Sequence, residues 1–275
     1  MTLSTIRNNP AKQKKVKTKK QKAIAATCAV AFWLLVWHVV SLCVGSELVL
    51  VSPVKVVQTL FTVIFDPDFL KTVWYSAARI LGGFFTALTL GTVLGWVASR
   101  FWVIETLLRP ITAVIKATPV ASFIILVLLW FSGKNLSVII SILMVFPVIY
   151  MNVLEGIRSA DEKLLEMAQV FRLSVGKKLL YIYLPAVAPF FVSACSVSLG
   201  LCWKSGIAAE VIGTPDGSIG AVFYQAKIFL QTSELLAWTV VVVAVSVAFE
   251  KLFMLLLRLI LKKLKMEDVL NGKRA

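Results

Sequence analysis

A chain of 275 residues that is 59% hydrophobic and only 16% charged, with a formal net charge of +15 and a mean hydropathy of +0.88, departs far from the soluble average of roughly 45–50% apolar and 25% charged residues. An ordinary soluble domain is excluded, and an integral membrane protein is indicated. Nucleic-acid binding is not the reading of the positive charge, because the basic residues gather in two tails outside the apolar runs.

Residues 1–22 hold Arg7, Lys12, Lys14, Lys15, Lys17, Lys19, Lys20 and Lys22 with no acid, a composition expected to be disordered or to lie along anionic lipid. Six runs follow that approach the roughly 20 apolar residues needed to cross a bilayer: 23–44, 76–98, 108–131, 136–155, 185–206 and 235–257. The first exceeds the roughly 7–15 residues of a signal-peptide core and lacks a small-residue cleavage site, so it reads as a retained span. The membrane domain is therefore 23–257. A second basic tail, 258–275, carries Arg258, Lys262, Lys263, Lys265, Lys273 and Arg274. Positive charge at both ends places both termini in the cytoplasm, which requires an even number of crossings, and it places the loop at about 158–185 on the same side.

Between the first two spans, Val57, Leu60, Phe61 and Ile64 recur at helical spacing before the turn-forming Asp66-Pro67-Asp68. Two readings stand: an amphipathic helix on the outer interface, or a connecting helix packed on the domain. The second span carries Gly83, Ala87, Gly91 and Gly95 at four-residue spacing, a stripe of small side chains along which another helix can approach closely. In the third, Pro119 is expected to kink or begin a helix. Lys116 lies inside that span, where it either snorkels to the headgroups or serves a substrate path or subunit contact.

The loop between the fourth and fifth spans predicts one helix over 160–171, with Leu164, Leu165 and Ala168 toward the membrane domain and Glu162, Glu166 and Gln169 outward. A second helix begins near Ser174, a candidate N-cap. Beyond the fifth span, Lys204 and Glu210 fall near the outer boundary, either as interfacial charges in water or with Glu210 lining or closing a translocation path. Gly213-Thr214-Pro215-Asp216-Gly217 reads as a turn, and 219–230 as a returning helix.

Chemistry is sparse. Cys28, Cys43, Cys195 and Cys202 lie in apolar runs without C-x-x-C spacing, and His38 is the single histidine, so neither a metal site nor a disulfide framework is indicated. No phosphate-cradling Gly-x-x-x-x-Gly-Lys-Ser/Thr run occurs, and no Ser/His/Asp or Cys/His constellation is available. The chain is expected to be non-catalytic and to bind no cofactor.

Glu166-Met167-Ala168, Arg172 and the later Ile182, Leu184 and Pro185 form E-M-A-x-x-x-R…I-x-L-P. This resembles the EAA loop, E-A-A-x-x-x-G…I-x-L-P, of the membrane subunits of bacterial ATP-binding-cassette (ABC) importers, with Arg172 in place of the usual glycine. The small-residue run of the second span, Pro110, Lys116, Pro119, Trp130-Phe131 and the segment from Leu199 to Glu210 are similar to the nitrate/sulfonate/taurine permeases of that family. The resemblance implies an all-α, polytopic, type I importer permease with six transmembrane helices in the bacterial inner membrane. It implies that Glu166, Met167, Ala168, Arg172, Leu173 and Ser174 couple it to cytoplasmic ATPase subunits holding ATP and Mg, that an extracytoplasmic binding protein delivers the solute, and that a second permease copy completes the path. Glycine at 172 would permit positive φ, so with arginine the bend is expected either to avoid left-handed geometry or to be relaxed by Gly176. Two alternatives belong to other classes. One is a stand-alone secondary transporter or channel, for which inverted repeats and paired midplane charges are wanting; the other is a membrane scaffold without transport.

Overall fold

Eleven α-helices and one π-helical turn, with no strand, make up the described residues 19–264 of the computed structural model. The expected basic tail over 1–22 lies outside the described residues except for 19–22, which open the first helix, and Lys265, Lys273 and Arg274 lie outside them as well.

Two units divide near Lys55. The first contains α1 (Lys19–Val44) and the segment after it, where Gly45 turns the chain with φ +65° and the Trp37 indole donates to Val51 O at 3.1 Å. The second begins with α2 (Pro53–Ile64) for most of its length. Val56 and Val63 are buried on it, while Val57 and Phe61 are exposed. One face of this helix thus packs, as the connecting-helix reading expects, and the other stays apolar and uncovered.

Four further helices are long and apolar enough to cross a membrane: α3 (Phe69–Arg100), α6 (Gly133–Arg158), α9 (Leu184–Gly213) with the turns before it, and α11 (Thr232–Lys263). With α1 that makes five among the described residues. The sixth span departs from expectation: 108–131 is no single helix but α4 (Trp102–Ala117) and α5 (Val120–Leu128), bent by 105°. Pro119 is the cause. It offers no N–H to the ladder and pushes the residue before it out of the helical region, and Thr118 has ψ 133°.

The observed helices also outrun the apolar windows. Ile207, Ala208 and Ala209 carry α9 beyond the expected end at 206 to Gly213, because alanine is a strong helix former. Glu210 is consequently a helical residue inside the bundle.

At the centre stands α6, packed against α3 on one side and α9 on the other. A Cβ at Gly83 would sit 2.6 Å from Val138 O, one at Gly91 2.9 Å from Ile149 Cβ, and one at Gly95 3.0 Å from Tyr150 O. Ala87 is fully buried on the same stripe. The backbones of α3 and α6 therefore approach at van der Waals distance, the close packing that small residues allow inside a bilayer.

Candidate functional site

A two-helix knob between α6 and α9 carries the E-M-A motif. Asp161 caps its first helix, α7 (Glu162–Val170), by accepting from Lys163 N at 2.9 Å. At the other end Arg172 N donates to Gln169 O at 3.0 Å and Leu173 N to Ala168 O at 2.9 Å, the paired bonds of a Schellman ending. That ending needs a left-handed residue, and Arg172 supplies it with φ +49°. Neither way of avoiding strain is used, since the bend is left-handed at Arg172 itself and Gly176 keeps a negative φ. Ser174 stands at the N-cap position of α8 (Val175–Lys178), although its hydroxyl makes no cap bond. A π-helical turn, Leu179–Tyr183, then leads into α9. This wide turn ends just before Pro185, which has no N–H for a regular ladder.

The motif's apolar members hold the knob together: Ala168 and Ile182 are buried against Ala160, with Leu165, Leu173 and Tyr183 around them. Leu164, expected to face inward with them, is exposed: it stands in the first turn of α7, and the packed cluster takes in Leu165 and not Leu164. Glu166 and Met167 point outward, as do Arg172 and Ser174. Sequence reasoning missed Val170, Phe171 and Val175, which are 79%, 71% and 80% exposed and form an apolar group at the α7–α8 bend, Val170 lying one turn beyond Glu166. A Val-Phe pair inside a charged loop was the available signal.

Arg172 supports a prediction. A non-glycine residue in left-handed geometry costs roughly 1–2 kcal/mol, whereas glycine loses about 0.4–1 kcal/mol more chain entropy on folding. Arg172→Gly is expected to stabilise the knob by roughly 0.5–1 kcal/mol net, read as slower hydrogen exchange at the Leu173 amide, and the β-branched Arg172→Val to speed that exchange. Faster exchange in the glycine variant would overturn this account.

A second candidate region is the groove between α4 and α6. Glu105, Arg109, Thr112 and Lys116 share one face of α4, with Met151, Glu155 and Arg158 of α6 opposite. Arg158 and Glu105 pair across its end. Lys116 Nζ lies 3.3 Å from Met151 Sδ, a weak acceptor. Hollows of about 340, 320 and 430 Å³ adjoin along this groove, and Pro147, Asn152 and the α9 residue Phe190 border the one beside Lys116. Lys116 lies in the last turn of α4, just before the 105° bend into α5.

Glu210 is fully buried, which contradicts its reading as an interfacial charge in water. Its Oε2 accepts from Ser76 Oγ of α3 at 2.6 Å and from Gly220 N at 3.4 Å, while Ser76 Oγ accepts from Ile219 N at 2.9 Å. Ile219 and Gly220 open α10 (Ile219–Ile228), whose third N–H, that of Ala221, is taken by Ser218 Oγ. A helix leaves its first N–H groups without internal partners and favours negative charge at that end. Here α3 and α9 supply the cap in trans. Lys204, by contrast, is exposed on α9 and is not brought to Glu210 or to the Lys116 groove. Cys195 and Cys202 are buried, Cys28 and Cys43 exposed, and no metal-binding cluster occurs among the described residues.

A bundle of helices of membrane-crossing length, with a two-helix knob between α6 and α9, fits a multi-pass membrane component. The chain belongs to the family of binding-protein-dependent transport system inner membrane components, which it matches over residues 87–266. It is 30% identical over 232 residues to a putative aliphatic sulfonates transport permease protein of Bacillus subtilis, covering 83% of each chain. It is 26% identical over 220 residues to a taurine transport system permease protein of Escherichia coli, covering 78% of this chain and 80% of that one. A nitrate import permease protein of Synechocystis is 26% identical over 214 residues, with 74% and 76% covered. The protein is thus the membrane-spanning permease component of an ABC importer.

Proposed function

We propose that the α7–α8 knob docks on a separate ATPase, that two copies of this chain enclose one path, and that the path passes a small anion delivered by an extracytoplasmic binding protein. The observation that carries this is the exposed apolar group of Val170, Phe171 and Val175 at the bend that follows Glu166, on a knob whose other face is fixed by Ala168 and Ile182. Exposed apolar side chains beside an outward carboxylate, on a rigid support, make a seat for a partner protein. ATP and Mg belong to that partner, and this chain holds no cofactor. Nucleotide closes the ATPases and carries the knob as a rigid body, shifting the population between inward- and outward-open states.

Relatives named for sulfonates, taurine and nitrate share a compact solute bearing anionic oxygens. Lys116 and Arg109 in the α4–α6 groove suit that charge, and at membrane depth such exposed ionisable groups belong against water or protein. The groove is the path-lining face, and Glu210 holds the outer end of the bundle. Both termini and the knob lie in the cytoplasm of a bacterial cell, the basic tails touching lipid on that side.

The test is reconstitution. Vesicles containing this chain, its ATPase and its binding protein should take up solute only with ATP, and a cysteine placed at 163, in a background lacking the native cysteines, should resist an impermeant thiol reagent outside intact cells. Uptake by the subunit alone, driven by an ion gradient, would instead establish a secondary transporter.

A further inference from the structure

Away from the knob and the groove, a hollow of about 510 Å³ opens between α9 and α11, bordered by Ser196, Val247, Glu250, Lys251, Met254 and Arg258. Ser196 Oγ donates to Glu250 Oε1 at 2.8 Å, so the one acid is held against α9. Lys251 and Arg258 are exposed and make no ion pair among the described residues. Seven residues apart, they lie on one face of α11 about 10 Å from each other along the axis. Val247 and Leu255 bring apolar surface to the same stripe, at 41% and 55% exposure. Between Glu234 and Glu250, α11 carries no charge at all, and all its basic residues fall at 251 and beyond.

We propose that this hollow is a binding site for an anionic phospholipid of the cytoplasmic leaflet, with the phosphate between Lys251 and Arg258 and an acyl chain along Val247 and Met254. The inference rests on the topology given above, which puts the C-terminal end of α11 in the cytoplasm. Two exposed cations at membrane depth need an anion or water, and arginine with lysine is the pair that grips phosphate. Basic hollows between helices on the cytoplasmic side fit anionic headgroups. A second copy of the chain fits the site less well, because a symmetric contact across this face would set Lys251 and Arg258 against the same cations of the other copy.

The experiment uses the intact subunit with its ATPase in nanodiscs of phosphatidylcholine containing graded phosphatidylglycerol, with retained lipid counted by native mass spectrometry. The unaltered protein should retain one phosphatidylglycerol per subunit, in preference to phosphatidylcholine. Lys251→Ala/Arg258→Ala should weaken that retention at least tenfold, while Lys251→Arg/Arg258→Lys preserves it. No preference in the unaltered protein would overturn the proposal, as would unchanged retention in the alanine pair. A shift from two copies to one with lipid retention unaltered would assign the face to subunit contact instead. ATPase copurification is scored in the same samples and stays intact if only the lipid site fails; thiol labelling at 163 reports separately on the topology.

Discussion

Glu166→Lys is expected to release the ATPase from the purified subunit and abolish ATP-driven uptake while leaving the permease folded. Glu166 is exposed, and among the described residues no ion pair engages its carboxylate, so its replacement should leave the knob's own packing intact. On the proposed docking, its value lies outside the chain. A carboxylate accepting a charge-assisted bond from a partner's arginine or backbone N–H loses about 2–5 kcal/mol when its pair is truncated in a buried interface, roughly 30-fold to several-thousand-fold in affinity. Lysine adds repulsion to that loss. Copurification in detergent and uptake in reconstituted vesicles read the two consequences, and Phe171→Ser should weaken copurification in the same direction by removing an exposed aromatic anchor. Solute affinity of the binding protein should not change. A Glu166→Lys subunit that keeps its ATPase and transports at the unaltered rate would sink the docking role.

The knob was largely legible because its determinants are local. Asp161, the spacing from Ala168 to Arg172 and the proline at 185 each act within one or two turns, and a short stretch of sequence displays them together. What the sequence hid was a balance of energies. The strain of a left-handed arginine was visible, but not that two backbone bonds, from Arg172 N and Leu173 N, would outweigh it; such bonds contribute about 0.5–1.5 kcal/mol each. The bilayer-crossing helices were legible as apolar runs, yet their ends were not, since a hydropathy window registers the hydrocarbon thickness and α9 runs on through alanines to Gly213. Hidden most completely was the role of Glu210. Ser76 lies 134 residues from it, and no periodicity or spacing links the two. Only packing of α3, α9 and α10 around one point makes a buried carboxylate into a helix cap.

That cap should govern the stability of the end of the bundle where α9 meets α10, and Gly220→Val should show it most strongly. A Cβ at Gly220 would lie 2.3 Å from the Glu210 carbonyl carbon and Cβ, and 2.5 Å from Val211 N. Two of those atoms are backbone, so α10 must lift away rather than a side chain yield. Lifting it breaks the bonds from Ile219 N to Ser76 and from Gly220 N to Glu210, leaving a carboxylate buried without its helix end. Overpacking costs about 1–3 kcal/mol, and leaving a buried hydrogen-bonding group without its partner about 1–3 kcal/mol more, a large share of the roughly 5–15 kcal/mol that holds a typical protein folded. Glu210→Ala should be milder, since it removes the carboxyl group along with its bonds and strands only the hydroxyl and N–H groups. Glu210→Gln, which keeps an oxygen to accept from Ser76 and Gly220, should be mildest. Gly200→Val is the control, because a Cβ there meets nothing within 4 Å. Thermal melting of the detergent-solubilised subunit, followed by size-exclusion chromatography, should rank the variants in that order, with Gly220→Val giving little or no monodisperse protein. If Gly220→Val melts with Gly200→Val, α10 is not held by this clasp, and the buried Glu210 needs another explanation.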